Sequence, residues 1–268
     1  MTRTKQVICI SWGTKYGAAY VNRLYGMVAR HITPPFTFTC FTDTRDGVRP
    51  EVQLRELPPL PCEMPRNTPG KWPKSRLWGR ELGGLSGPVL FIDLDVVVTG
   101  SLDDFFTYGD PDRVILAHNA AKPFHRLGQT SIFRFPVGKL APLQAILAED
   151  PQGIGQRYRY EQYFVTKNAP GGVDLWPRAW VRHFRIQCVR PFPLNLVTQP
   201  RKPRDARVVI FAGDLNPADA VAGRWSPDHP ADLSIGEHLA HVRRTGGGFK
   251  ALRSYVKPTG WVRDAWSE

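Results

Sequence analysis

The stretch GPVLFIDLDVVVTGSLDDFF, residues 87–106, decides how this chain is read. Asp93 and Asp95 interrupt an otherwise apolar run. A continuous run of Val, Leu, Ile and Phe predicts a strand covered on both faces. Along one strand, residues two apart point the same way, so the two carboxylates would share a face. Burying either without a partner is costly, and like charges on one face repel. Downstream, Ser101 is expected to cap a helix whose first turn carries Asp103 and Asp104.

Upstream, KQVICISWG reads as a first strand ending at Gly13. The next segment, GAAYVNRLYGMVARHI, places Val21, Leu24, Tyr25 and Val28 at helical spacing. PFTFTCFTD, rich in aromatic and β-branched residues, reads as a second strand. Strand, helix and strand in this order form a βαβ unit, which implies a parallel sheet with ligand sites at strand carboxyl ends. The Pro- and Gly-rich stretch that follows leaves room for one short strand at 52–57, and a helix is expected over 74–82. RVILAHN and GQTSIFRF predict two further strands, VGKLAPLQAILAED a helix, and ARVVIFAG a late strand before the loop DLNP. The expected fold class is α/β, a Rossmann-like three-layer α/β/α sandwich around a mostly parallel sheet, with an irregular C-terminal lobe.

Composition narrows the function. The chain has 268 residues, 42% hydrophobic, and no apolar run approaching the roughly 20 residues that span a bilayer. The N-terminus lacks the apolar core and cleavage site of a signal peptide, so a cytoplasmic location is expected. Cys9, Cys40, Cys62 and Cys188 show no C-x-x-C spacing and read as small hydrophobes. A net charge of +12 calls for an anionic partner. The charge is scattered and no nucleic-acid-binding signature accompanies it, so a nucleotide ligand is expected rather than nucleic acid.

Three chemistries accommodate D-x-D at a strand end. One is a capped or salt-bridged structural pair. Another is the nucleophile of a haloacid-dehalogenase-type phosphatase, disfavoured because that motif belongs on the first strand and before a mobile Gly or Thr loop. The third is a divalent cation held on the carboxylates to stabilise a leaving diphosphate. VLFIDLDVVVTGSLDDFF resembles the D-x-D core of the GT-A glycosyltransferases related to glycogenin and to bacterial lipopolysaccharide galactosyl- and glucosyltransferases. KWPKSRLWG is similar to the W-x-K-x-x-L segment that precedes it in one bacterial branch. RYRYEQYFV is similar to that family's acidic-Gln segment, and ARVVIFAGDLNP to its late hhFHGxxxP segment.

The resemblance implies a metal-dependent transfer of a hexose from a nucleotide sugar, expected to be UDP-linked, to a saccharide or glycolipid hydroxyl with retention. It implies Mn2+ or Mg2+ as cofactor. Asp95 would be the main metal ligand and Asp93 would touch metal or ribose. Ala212 occupies the place of a His, so Asp214 or Asn216 would stand in for it; otherwise Asp95, the diphosphate and water would hold the metal. Ser11, Trp12, Gly13, Tyr16, Thr42, Asp43, Lys74, Gly213 and Asn216 would line the nucleotide sugar. Glu161 and Gln162 would act at the reacting centre with Asp95, and Thr130 and Ser131 would face the acceptor. A sugar nucleotidyltransferase is disfavoured because strand one lacks a Gly-rich loop; Ala212 keeps open a nucleotide-sugar-binding pseudoenzyme. The catalytic domain is expected over 1–225. Residues 226–268 form a basic, aromatic extension, packed on the domain or touching an anionic membrane.

Overall fold

The computed structural model describes residues 4–213 and 215–268; Asp214 lies outside them. The chain divides into two compact units. The first comprises Met1–Leu94 and Ser101–Arg178; the second comprises Asp95–Gly100 and Ala179–Glu268.

The first unit opens with β1 (Lys5–Ser11), α1 (Ala18–His31) and β2 (Phe36–Thr42). Val21, Leu24 and Val28 are buried, as their spacing requires, joined by Gly26 and Met27. The short β3 (Gln53–Glu56) is followed by a 3-10 helix over Trp72–Trp78 and by β4 (Pro88–Ile92). In the second unit, β5 (Val96–Val98) follows. Back in the first unit come α2 (Asp104–Thr107), β6 (Val114–His118), β7 (Gly128–Pro136), α3 (Ala141–Glu149), α4 (Pro151–Tyr158), α5 (Glu161–Asn168) and β8 (Val173–Leu175).

The seven-stranded sheet has the order β3-β2-β1-β4-β7-β6-β8. β3, β2, β1 and β4 run parallel; β7 is antiparallel to both its neighbours; β8 is parallel to β6. The chain steps outward from β1 to β3, then returns to the other side of β1 with β4. That reversal makes the β1–β4 junction a topological switch point, where parallel sheets leave a crevice at the strand carboxyl ends. One face carries Ile8, Ile10, Phe41, Phe91, Phe133 and Phe135 against Trp72, Trp78 and Phe164. Each such side chain is fully buried, which stabilises the fold by about 1.5–3 kcal/mol apiece. On the other face the Tyr25 ring of α1 meets Phe38 edge-on at 5.5 Å. Helices on both faces give the expected three layers.

The second unit holds a small sheet ordered β5-β10-β9, with β9 at Val181–His183 and β10 at Val208–Ile210. β5 is antiparallel and β9 parallel to β10. A π turn over Phe184–Cys188 and α6 (Leu194–Val197) connect β9 to β10. Beyond lie α7 (Pro217–Ala222), α8 (Ile235–Thr245), α9 (Gly248–Leu252) and α10 (Gly260–Ala265). Residues 226–268 belong to this unit together with 95–100 and 179–225. Tyr255 and Trp266 of the tail are buried and Trp261 is half-buried, whereas Phe249 is 61% exposed. No helix among the described residues is long and apolar enough to cross a membrane.

Three sequence expectations are corrected here. The run at 88–98 is not one strand: β4 ends at Ile92, a turn intervenes, and β5 joins a different sheet. Alternation therefore does not set the faces of Asp93 and Asp95. The helix expected over 74–82 is a 3-10 segment that starts two residues earlier and ends before Gly79, with Pro73 in its first turn. Ser101 does not cap α2; it accepts from Asp103 N at 3.2 Å, while Asp103 itself bonds Thr33 and Lys5.

Candidate functional site

The carboxyl ends of β1, β2 and β4 bring seven of the sixteen predicted positions, Ser11, Trp12, Gly13, Tyr16, Thr42, Asp43 and Asp93, to one edge of the first unit. Ser11 and Thr42 are register partners at the ends of β1 and β2. Gly13 follows at φ +64, a left-handed conformation that only glycine adopts without strain. Its amide donates to Asp43 Oδ2 at 3.0 Å, tying the two strand ends together. Ser11 Oγ donates to Tyr16 O at 3.4 Å, and Thr42 Oγ1 closes a local turn with Thr44. Trp12 is half-buried and packs on the core. Tyr16 is half-buried, with Lys15 Nζ 4.7 Å from its ring centre.

Beside this edge, β4 delivers Asp93. Its amide donates to Ser131 O at 2.8 Å, which extends the β4–β7 pairing by one residue. Its carboxylate is held by Lys74, whose Nζ lies 2.7 Å from each oxygen. Lys74 is 6% exposed; its ammonium also donates to Thr130 O at 3.3 Å and stands 5.1 Å from the Phe91 ring centre. A buried ammonium is tolerable only with such partners. The charge that compensates Asp93 is therefore a lysine supplied by the Trp-Pro-Lys segment. Beneath them, burial pushes the Cys9 thiol well up, and the Cys40 thiol and the Asp93 charge add to the shift. Cys9, Cys40 and Cys188 are buried free thiols; Cys62 is half-buried and also free.

The network continues into α5. Glu161 is buried at the first turn; Oε1 accepts from Thr130 Oγ1 at 2.9 Å and Oε2 from Lys71 N at 3.0 Å. Thr130 thus links Lys74 to Glu161 through its carbonyl and its hydroxyl. Gln162 next to it is half-buried, and among the described residues its side-chain amide has no hydrogen-bond partner. Ser131 Oγ accepts from Gln129 Nε2 at 2.6 Å. Lys71, which acts through its backbone amide, carries no sequence signal beyond standing next to the Trp-Pro-Lys segment.

The remaining predicted positions belong to the second unit. Asp95 is half-buried in the turn before β5. Gly213 follows β10 at φ +83. Asn216 is the N-cap of α7: it accepts from Asp219 N at 3.3 Å while Asp219 Oδ2 accepts from Asn216 N at 3.0 Å. Arg224 Nε donates to the fully buried Asp219 at 2.5 Å, so its charge is spent on the cap.

Among the described residues no three His, Cys, Asp or Glu side chains gather as a metal site. The donor set still suits a hard cation of the Mg2+ kind, which is commonly held by one or two carboxylates together with substrate phosphates. Both oxygens of Asp93 face Lys74.

No family model matches the chain, and no curated protein matches it in sequence. Solved structures do match in fold. The galactosyltransferase LgtC, solved with donor and acceptor sugar analogues, superposes with a TM-score of 0.57 at 14% identity over 83% of this chain and 90% of its own. An active-site glutamine-to-glutamate variant of LgtC gives 0.55 at 13% identity, over 90% and 95%. The glycosyltransferase GlyE of Streptococcus pneumoniae TIGR4 gives 0.55 at 10% identity over 80% of this chain and 56% of its own. The bifunctional glycosyltransferase WbbM gives 0.54 at 14% identity, over 80% and 46%. The chain has the GT-A fold of these bacterial glycosyltransferases and spans about half the length of the last two.

Proposed function

We propose that this chain is a glycosyltransferase that moves a hexose from a nucleotide sugar, UDP-linked, to a saccharide or glycolipid hydroxyl with retention. The observation that carries the reading is the gathering of Ser11, Gly13, Asp43 and Asp93 at the carboxyl ends of neighbouring parallel strands, across the switch point of a GT-A sheet. Gly13 lets the backbone turn sharply where a nucleotide would lie, and Asp43 fixes that turn. Lys74 neutralises Asp93 and fixes it at the end of β4. Asp95 would hold a divalent cation with the donor phosphates, and that cation would add Lewis-acid stabilisation of the leaving group.

Glu161 and Gln162 divide the work at the reacting face. Glu161 has both oxygens occupied by Thr130 and Lys71, which makes it a rigid anchor for the start of α5. Gln162, with an amide uncommitted to other side chains, is the group offered to the anomeric centre. The acceptor hydroxyl attacks from the face that the diphosphate vacates, and a diphosphate oxygen takes its proton.

Ala212, at the place where the resemblance implies a His that can complete the metal site, favours a second reading, a nucleotide-sugar binder without transferase activity. Thermal melts with UDP or GDP, with and without Mn2+, on wild type and Asp95→Ala test the donor site. At about a hundred times its Kd a ligand adds about 2.7 kcal/mol of stability. A UDP shift that requires Mn2+ and disappears in Asp95→Ala is expected; its absence removes the donor site. Transfer from UDP-hexoses then separates enzyme from binder.

A further inference from the structure

A pocket of about 760 Å3 opens at the outer edge of the first unit's large sheet, where β6 and β8 end. Tyr108, His118, Phe124, Arg126, Asp174 and Arg178 are among the residues that line it. A space of this size suits a small molecule or one unit of a larger one. β6 is antiparallel to β7, and β7 to β4, so the carboxyl end of β6 lies on the same edge of the sheet as that of β4. β8 stands three places from β4 in the strand order, roughly 14 Å at the usual strand spacing. The pocket is therefore separate from the strand ends of the proposed donor site but opens along the same edge.

Its walls set aromatic rings beside positioned polar side chains. Phe124 is 98% exposed, yet the loop that carries it is closed by its own hydrogen bonds: Lys122 N donates to Asn119 O and His125 N to Lys122 O, both at 3.0 Å. Arg178 Nη2 donates to Pro123 O at 2.8 Å, and Arg126 Nη2 to Val173 O at 2.9 Å, which ties the loop to β8 and the residues after it. Where the loop enters β7, Gly128 N donates to Thr166 Oγ1 of α5 at 3.1 Å, and that hydroxyl donates to Gln162 O at 2.6 Å. The Phe124 ring is thus held out in water by a fixed loop. Tyr108 is held by Trp176, their ring centres 5.9 Å apart.

The polar side chains keep hydrogen-bonding capacity. Asp174 accepts from Arg113 Nε at 3.1 Å and pairs with Arg126 at 3.6 Å, on a carboxylate that can accept about four bonds. Arg178 has spent one N–H of its guanidinium, on Pro123 O. The His118 ring has no hydrogen-bond partner among the described residues. Burial, with the Arg178 and Arg126 charges, lowers its pKa, so the neutral ring offers one donor and one acceptor. A pyranose matches this set: its face of C–H bonds packs on an aromatic ring, and its rim of hydroxyls both donates and accepts. A phosphate uses donors alone and meets a like charge at Asp174.

We infer that this pocket binds one pyranose unit of a saccharide, its face on Phe124 and its hydroxyls on Asp174, His118 and Arg178, outside the donor site. Naming that unit as a part of the acceptor remote from the reacting hydroxyl rests on the transferase reading. The pocket itself is argued from the first unit alone and does not.

The probes are the methyl glycosides of glucose, galactose and mannose, observed by saturation-transfer NMR on the full chain without nucleotide. Sorbitol is the control, having the hydroxyls but no ring face. At least one glycoside is expected to receive saturation, and sorbitol none. Phe124→Ala changes an exposed side chain, so its melting temperature should match that of wild type. It should nevertheless raise the Kd of the glycoside by about fivefold or more, the scale of one lost ring contact. Phe124→Tyr should bind as wild type does. Transfer to none of the three glycosides, equal transfer to sorbitol, or a Phe124→Ala protein within about twofold of wild type overturns the inference. Displacement of the glycoside by UDP would make the pocket part of the donor site, and displacement by inorganic phosphate would make it an anion site; either overturns it. The glycoside titration needs no nucleotide and the Mn2+-dependent UDP melt needs no glycoside, so either idea can fail while the other stands.

Discussion

The ammonium of Lys74 lies 2.7 Å from both carboxylate oxygens of Asp93, with the lysine side chain 8% and the aspartate side chain 17% exposed. At this depth the attraction is weakly screened, and neither charge is tolerable alone. Removing one partner of such a pair costs about 3 kcal/mol or more, because the other is left uncompensated. Lys74→Met and Asp93→Asn should each destabilise on that scale, and the double variant by clearly less than the sum. Urea unfolding of the four proteins measures the coupling. Additive losses would mean that the pair does not hold the end of β4.

Glu161 and Gln162 are neighbours with opposite commitments. Glu161 accepts from Thr130 Oγ1 and Lys71 N, so Glu161→Ala should leave two donors without their acceptor and cost about 1–3 kcal/mol. Gln162→Ala should change stability by no more than about 0.5 kcal/mol while lowering kcat by about a hundredfold, the usual scale for one group that acts on the transition state. Melts and transfer assays on both variants separate the roles. A Gln162→Ala protein with normal kcat would remove Gln162 from the reacting face.

The N-cap at Asn216 gives a third expectation. Asn216 and Asp219 bond each other's backbone amides, and Arg224 closes on the buried Asp219. Asn216→Ala should cost about 1 kcal/mol by loss of the cap, whereas Asn216→Ser should be nearly neutral. Nucleotide affinity unchanged in Asn216→Ser, measured by the UDP melt, would assign the position to the helix rather than to the ligand.

Much of the fold is legible because periodicity is local. Val21, Leu24 and Val28 announce α1, and the apolar runs around Cys9, Cys40 and Phe133 announce β1, β2 and β7. The break at Asp93 is not legible. PVLFI and VVV look alike in composition, and β5 leaves the large sheet because Val98 pairs with Val208, a hundred and ten positions away. The Lys74–Asp93 pair spans 19 positions and the Lys71–Glu161 bond spans 90. The segments are visible in the sequence; the contacts that explain their polar residues are products of the topology. The tail reads ambiguously for the same reason: three of its four aromatic residues are at least half-buried, and nothing in their spacing separates them from Phe249.

His183, at the end of β9, makes stability sensitive to acid. Burial, aided by the Arg185 charge, pushes its imidazole down to about 4. Its Nδ1 is buried with no hydrogen-bond partner among the described residues. An unfolded histidine titrates near 6.5. Above that pH neither state binds the proton and His183 leaves stability unchanged. Between about 6.5 and 4 the unfolded chain takes a proton that the folded chain refuses, so stability falls with pH. Below about 4 both states are protonated and the loss levels off. One pKa unit is worth about 1.4 kcal/mol, so the loss from this residue between pH 7 and pH 4 amounts to about 2–3 kcal/mol. His183→Phe removes the titration while keeping an aromatic ring. Its urea midpoint should fall less between pH 7 and pH 4.5 than that of wild type. His118, His229 and His238, whose values are also lowered, supply the slope that remains. Equal acid losses in the two proteins would show that His183 is not the group that charges on unfolding.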